Sequence, residues 1–522
     1  MHNDVVVVGG GIAGLTAAAF LAKSGRSVLL LEKSEKVGGC INSFERSGFV
    51  FDGGIRALEN SGVLFTMLKQ LGIEIEFVKN NVSIGLEKDV VRLEGMASLA
   101  DYEGLLRKYF PGNAADVKKV FTEIEKVSNY MDVVYGIDNP LFLDMKKDRK
   151  YLVTVILPWL LKYLLTTRKI EKLKEPIKHY LSRITANTSL IDIFAQHFFK
   201  DTPAFFALGY LKIYLDYYYP RGGTQILPDK LRDFITQCGG RTQNKTEVTE
   251  IDLQQRRLLD QSDNSYNYKR LVWAADLKTL YNIISVDSIA DSRVKADIIS
   301  RKQAISDKTG GDSIFALYLC LDLDKKFFSD IATEHFFYTP YSRGLLQAST
   351  ISVSGKEETI KCLEDYFKYN TYETACPVLR DSNLAPNGKT GLIISTLFDY
   401  SVTRKISEDG WYDEFKRLSE DIITDVFNQT IYPGIKDKII SRFSSTPLTL
   451  FNKHGNSQGA ITGWGFDNRE MPAETRLSRI SRSIKTPIPD VFQAGQWSFS
   501  PSGLPVSIIT GKLAADAARK SL

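Results

Sequence analysis

Asp4-Val5-Val6-Val7-Val8-Gly9-Gly10-Gly11-Ile12-Ala13-Gly14, followed by Val28-Leu29-Leu30-Leu31-Glu32, decides how the rest of the chain is read. A short all-apolar run bounded by glycines reads as a strand buried on both faces. The residues from Ile12 to Lys23 read as a helix, and Val28–Leu31 as a second parallel strand. In such a unit Gly9 allows the tight turn, Gly11 lets backbone approach a pyrophosphate, and Gly14 lets helix pack closely on strand. The free N–H groups at the helix start, around Ile12 and Ala13, favour an anion. Glu32 stands 18 residues past Gly14, near the spacing of a carboxylate that holds ribose hydroxyls. Strand, turn, helix, strand and acid in this order predict a dinucleotide site.

At 522 residues the chain is long enough for two or three lobes. A hydrophobic content of 43% with 25% charged residues excludes a disordered chain. The five cysteines form no CxxC pair and the five histidines show no metal spacing, so neither a disulfide framework nor a metal site is expected. The first apolar run is too short for a signal peptide and is needed as a strand, so a cytoplasmic chain is expected.

The net charge of +5 is unevenly spread. Between Lys146 and Lys178 ten basic residues face three acidic ones, an excess of +7. Inside that frame lies the apolar stretch from Tyr151 to Leu165, interrupted by Pro158 and Lys162. As a helix it spans roughly 22 Å, short of a ~30 Å hydrocarbon core. Two readings stand. One is an element lying in the membrane interface, with Trp159 and Tyr163 at headgroup depth and lysines on anionic lipid; the other is a buried cap helix. The aliphatic setting of this basic run speaks against nucleic-acid binding.

Further along, Phe49–Asp52 reads as a short strand and Leu227–Cys238 as a helix. Strands are expected around Val248–Ile251, Lys269–Trp273, Ser313–Asp322 and Leu392–Tyr400, and a final helix over Ser507–Arg519. The aromatic run through Phe198-Phe199 and Phe205–Tyr219 is either ordinary core or the wall of a tunnel for a long apolar molecule.

With Gly38-Gly39, Phe51-Asp52-x-Gly54, Tyr219-Pro-x-Gly-Gly223, Trp273-Ala-Ala-Asp276, Cys376-Pro377 through Gly388, and Gly495 followed by Gly503-Leu504-Pro505, the chain resembles the phytoene desaturase, carotenoid isomerase and retinol saturase family. The resemblance implies FAD. It places Gly9, Gly11 and Gly14 at the pyrophosphate, Glu32 at the adenosine ribose, Lys33 and Gly39 beside it, and Val248 at the adenine. Gly495 falls near the ribityl chain, and the turn through Leu504, Pro505 and Val506 aims the last helix at the flavin ring. Cys40 and Gln496 depart from the family pattern. Arg56 and Glu59, just past the Phe-Asp-x-Gly turn, are candidate catalytic residues. Arg56 would steady an anionic flavin or a polar head group and Glu59 would move a proton; a surface or inter-domain ion pair is the competing reading.

The expected architecture is α/β: a discontinuous Rossmann-type FAD-binding domain (1–77, 219–295 and 441–522), a mixed-sheet substrate domain (78–135 and 296–440) and a helical, membrane-facing cap (136–218). The leading function is FAD-dependent chemistry on carbon–carbon bonds of a long isoprenoid or polyene, by desaturation, saturation or cis–trans isomerisation. With a single dinucleotide fingerprint, electrons are expected to pass to or from an external carrier such as a quinone. The alternatives are an amine-oxidase-like flavoprotein with a small polar substrate and a non-catalytic FAD- or lipid-binding protein. A peripheral membrane location follows from the basic apolar segment.

Overall fold

The computed structural model describes residues 2–144, 146–345 and 351–522. At its centre the first strand, His2–Val8, runs parallel to Val28–Leu31 on one side and to Ser265–Trp273 on the other. Val5, Val6 and Val7 are fully buried, as a parallel strand covered on both faces requires. Arg241–Gln243 extends the sheet beyond Val28–Leu31. The long strand Ser265–Trp273 divides its far edge. Its first residues pair with Arg257–Asp260, which leads to Val248–Asp252, while Leu271, Val272 and Trp273 pair with Val491–Gln493 from near the end of the chain.

Helices Ile12–Lys23, Ile226–Gln237 and Leu504–Ser521 cover one face of this sheet. The other face is covered in part by Leu277–Asn282 and Ser292–Ser306. Ile298 and Ile305 of the second of these are buried there, so this layer extends past residue 295.

A second, seven-stranded sheet has the order Ile439–Ser445, Ser313–Leu321, Thr390–Phe398, Tyr372–Ala375, His335–Thr339, Val82–Leu86, Asp89–Leu93. It is mixed: His335–Thr339 pairs in parallel with Val82–Leu86 and every other pairing is antiparallel. All nine residues of Ser313–Leu321 are buried, packed with Leu363, Phe367, Phe415 and Ile423 of the covering helices.

The third layer is helical and packs on Val82, Ile84 and Leu86. Its long helix Ala114–Tyr135 lies along Ala204–Tyr214, so the layer begins at Leu99–Tyr109 rather than at residue 136. On its outside, one π-turn, Leu152–Ile156, runs into helix Leu157–Ile170. Pro158 follows the π-turn within helical backbone that runs on from Arg149, so it has no N–H to give to the preceding turn. The orientation corrects the sequence expectation. Trp159 donates its indole N–H inward to the Val133 carbonyl and packs against Tyr163 at 4.6 Å, so these rings do not point outward. The outward residues are Val153, Leu157, Leu160, Leu161, Leu164 and Leu165, with Leu157 and Leu161 each 66% exposed. Among the described residues no helix is long and apolar enough to cross a membrane.

Candidate functional site

One cavity of about 450 Å³ opens where the first sheet, the second sheet and the helical layer meet. Two helices begin at its wall. Ile12–Lys23 starts after Gly11, and its first internal bond is from Leu15 to Gly11, leaving the N–H groups of Ile12, Ala13 and Gly14 ahead of that bond. Leu504–Ser521 starts after Gly503, with its first bond from Ser507 to Gly503. Both N-termini carry partial positive charge, so the cavity is suited to an anion such as a pyrophosphate.

The three fingerprint glycines do different work. Gly9 takes φ +102°, and a Cβ there would lie 2.7 Å from the Ala274 carbonyl of the neighbouring strand. A Cβ on Gly14 would lie 1.9 Å from the Gly9 carbonyl, so this glycine serves helix packing and does not line the cavity. A Cβ on Gly11 would meet nothing within 4 Å, which leaves open space where a ligand backbone can approach.

Glu32 lines the same cavity and accepts from the backbone N–H of Gly10 at 2.6 Å and of Ser34 at 2.8 Å. Those bonds hold the carboxylate in place and leave it lone pairs for hydroxyl donors. Lys33, Gly39, Cys40 and Val248 line the wall nearby. Burial pushes the Cys40 thiol up to about 11, so it is a neutral, unreactive group. Gly495 is also on the wall, but its N–H donates to Thr510 Oγ1 at 3.0 Å. Leu504 lines the cavity; Pro505 and Val506 do not. They face a smaller, adjoining cavity that shares Glu59, Phe206, Ser502 and Gly503 with the first.

Away from the glycine loop the cavity becomes aromatic and then polar. Phe199, Phe206, Tyr210 and Tyr217 stand on one side, and Arg56, Glu59, His335 and Glu373 complete the wall. Arg56 is 3% exposed and donates from Nη1 to Glu373 Oε2 at 2.7 Å and to Ser395. It is therefore a buried ion pair between the first segment of the chain and the second sheet, not a surface pair. Burial alone would raise the Glu373 carboxyl, but Arg56, the adjacent His335 ring and Arg380 hold it at about 2. His335 Nε2 is 2.9 Å from Glu373 Oε1, and burial together with Arg380 and Arg56 lowers its pKa, so the ring is neutral. Glu59 is the opposite case: burial, with Asp216 nearby, lifts it to about 7. Glu59 is paired in register with Tyr217, and its Oε1 lies 3.2 Å from the position of a Cβ on Gly503. A carboxyl poised near neutrality beside a helix N-terminus can give or take a proton at physiological pH.

The motifs Phe51-Asp52-x-Gly54 and Tyr219-Pro-x-Gly-Gly223 meet at a buried hub. Asp52 accepts from the hydroxyls of Tyr219 at 2.9 Å, Ser43 at 2.8 Å and Thr224 at 2.9 Å. This hub anchors the end of strand Phe49–Asp52, from which the chain runs through Arg56 to the short strand Leu58–Glu59. His335 and Glu373 were not picked out by the sequence. The only signal was an ionisable residue in each of two short strand segments, His335-Phe-Phe-Tyr and Tyr372-Glu-Thr-Ala.

Residues 7–71 match the model of an NAD(P)-binding Rossmann-like domain. The chain is 24% identical to all-trans-retinol 13,14-reductase of Danio rerio, over 94% of this chain and 82% of that protein. It is 20% identical to 4,4'-diapophytoene desaturase of Staphylococcus aureus, over 98% of each. Among solved structures, an oxidoreductase from Methanosarcina mazei superposes with a TM-score of 0.60 at 14% identity, covering all of both chains. Putrescine oxidase superposes at 0.62 and 14% identity, covering 100% of this chain and 99% of that one. These last two matches carry the fold alone. The similarity in sequence, spread along almost the whole chain and coinciding with the motifs at the cavity, is to a retinol reductase and a diapophytoene desaturase, and supports an oxidoreductase.

Proposed function

We propose that the protein is an FAD-dependent oxidoreductase acting on a carbon–carbon bond of a long apolar polyene or isoprenoid. The observation that carries this reading is a single cavity running from two helix N-termini to an aromatic wall. In this reading Gly11, Ile12 and Ala13 bind the pyrophosphate and Glu32 the adenosine ribose. Lys33, Gly39, Cys40 and Val248 flank the adenosine, and Gly495 and Leu504 approach the rest of the cofactor. When bound, FAD supplies the hydride acceptor or donor. The chain's own part is to hold the polyene against Phe199, Phe206, Tyr210 and Tyr217, to exclude water, and to hold or move a proton at the Glu59 carboxyl. Arg56 fixes the polar end of the wall through Glu373.

The relatives named as desaturase and reductase run such chemistry in opposite directions, and an external electron carrier of quinone type fits either one. The outward leucines between the basic residues Lys146–Lys150 and Arg168–Lys178 form the surface we assign to an anionic membrane, making the protein peripheral. The first sheet and its helices are the cofactor domain, the second sheet the substrate domain and the helical layer the cap.

The test is an absorbance spectrum of the purified protein, then anaerobic mixing with a polyene-containing lipid extract in oxidised and reduced states. Flavin bands bleached by an apolar lipid identify a desaturase. Turnover only by reduced protein, with electrons consumed, identifies a saturase; with electrons retained, an isomerase. A protein that takes up no FAD refutes the reading.

A further inference from the structure

We propose that the smaller cavity behind Glu59 holds a short chain of water that carries protons between Glu59 and solvent. The inference rests on Glu59 as the proton-handling group of the polyene reading, and adds the route by which its proton is renewed. Glu59, Phe206, Ser502 and Gly503 stand on both cavities, so Glu59 lies at their junction. With FAD and an apolar chain in the main cavity, water is shut out on that side. A carboxyl that has given or taken a proton there must be reset from elsewhere, and the smaller cavity is where it can be.

Size and lining decide what that cavity holds. Its volume is about 40 Å³. One water needs roughly 10–15 Å³, so about three fit. A long apolar ligand needs roughly 300 Å³ or more, which rules it out as the occupant. The hydroxyl residues Ser61, Tyr135, Thr167, Thr475 and Ser502 line the walls and supply the polar partners that a water requires. Ser61, Thr167 and Ser502 are buried, whereas Glu171, Lys174 and Arg476 are exposed and mark the outer end. Arg476 Nε lies 4.0 Å from Glu171 Oε1, with side chains 46% and 38% exposed, a loose pair that leaves the mouth wet. This charged mouth lies beyond the exposed leucines of helix Leu157–Ile170, so it faces water and not hydrocarbon.

The groups around Glu59 leave it as the one that titrates near neutrality. Burial raises Tyr135, Tyr210 and Tyr217, which stay protonated. Asp216 accepts from the Ser61 N–H at 2.7 Å, and Lys79 and Lys212 offset part of its own burial. Among the described residues none donates a hydrogen bond to the Glu59 carboxyl, which leaves its oxygens for water. When Glu59 gives its proton to the main cavity, the carboxylate takes one from the nearest water and the chain takes one from solvent. In the opposite direction each transfer reverses. No electron moves, and the net change is one proton exchanged with bulk water.

The test uses the full, FAD-loaded chain with its main cavity filled by a 20-carbon isoprenoid hydrocarbon at saturation. At pH 6, below the Glu59 value of about 7, the carboxyl is protonated, and its infrared C=O band is identified by its loss in Glu59→Gln. On mixing with D2O the wild-type band is expected to shift without delay. Thr475→Phe and Thr167→Leu fill the smaller cavity from two different walls, so exchange must wait for local opening. Each variant is first checked for undiminished flavin content, and where one fails that check the other decides. The band is expected to shift at least about tenfold more slowly than in the wild type. A flavin-loaded variant that exchanges as fast as the wild type overturns the water route and leaves the polyene reading standing. Wild-type exchange that is fast only without the hydrocarbon does the same. Failure of the hydrocarbon to bind overturns the proposal and the polyene reading together.

Discussion

Arg56 Nη1 lies 2.7 Å from Glu373 Oε2, joining two segments 317 positions apart across the wall of the cavity. The pair is one-sided: Arg56 is enclosed, whereas the Glu373 side chain is 34% exposed to the cavity. Removing the partner of an enclosed charge is costly, and the opening on Glu373 reduces that cost. Glu373→Gln is expected to destabilise the protein by about 2–3 kcal/mol, and Arg56→Met/Glu373→Met to recover most of the loss. Chemical unfolding followed by circular dichroism measures this. Additive losses in the double variant would refute coupling between the two. Because the folded Glu373 is held at about 2, below its usual 4.5, its contribution is present above pH 4.5 and lost as pH falls toward 2.

Glu59 behaves with the opposite sign. Its folded value of about 7 lies above the usual 4.5, so the stability it contributes is present below pH 4.5 and lost as pH rises through 7. As a proton donor it is active when protonated, so turnover is expected to decline above pH 7. Glu59→Gln is expected to lower kcat by about 10²- to 10⁴-fold and to remove that limb of the pH profile. A variant with the wild-type profile would deny Glu59 any part in proton transfer.

Gly11 and Gly14 are expected to fail differently. Gly11→Ala adds a methyl to open space, so the protein should fold with its far-UV spectrum intact and lose flavin. Gly14→Ala drives a methyl against the Gly9 carbonyl and should yield little soluble protein. Flavin retained by folded Gly11→Ala would argue against a ligand at that spot.

On the outer helix, Leu157→Glu/Leu161→Glu should change stability by no more than about 0.5 kcal/mol, since both side chains are exposed. Sedimentation with vesicles containing anionic lipid should drop several-fold. Undiminished sedimentation would remove this face from membrane contact.

Tyr219→Phe deletes one hydroxyl from the Asp52 hub and is expected to cost about 1–2 kcal/mol, read as an earlier thermal transition. Asp52→Ala leaves the Tyr219, Ser43 and Thr224 hydroxyls without their acceptor and should cost clearly more; equal losses would deny the hub.

The reach of the sequence follows the range of the interactions. Val5 through Glu32 were legible because strand, turn and helix are set by neighbours a few residues away. The aromatic run at Phe205–Tyr219 was visible, but not how it divides: Phe205, Leu208 and Tyr214 pack in the core, while Phe206, Tyr210 and Tyr217 border the cavity. Arg56 was visible by its position after a turn, but its partner was not, since nothing local marks Glu373 as the acid that will face it. The segment around Trp159 shows a different limit. Where nearly every residue is apolar, periodicity defines no face, and only packing on Ala114–Tyr135 turns the indole inward and the leucines outward.

The pairing of Val491–Gln493 with Ser265–Trp273 also sets a schedule. During synthesis the opening strand and glycine loop emerge first, yet their sheet lacks its last member until roughly 480 further residues are made. At about 5–20 residues per second that interval is roughly 24 to 96 s. Throughout it the face later covered by Leu504–Ser521 stays open. Once Trp273 is made, the edge at Leu271–Trp273 waits unpaired for the roughly 220 residues that remain before Val491. The newborn chain therefore carries an unpaired strand edge and uncovered apolar surface until almost its last residues.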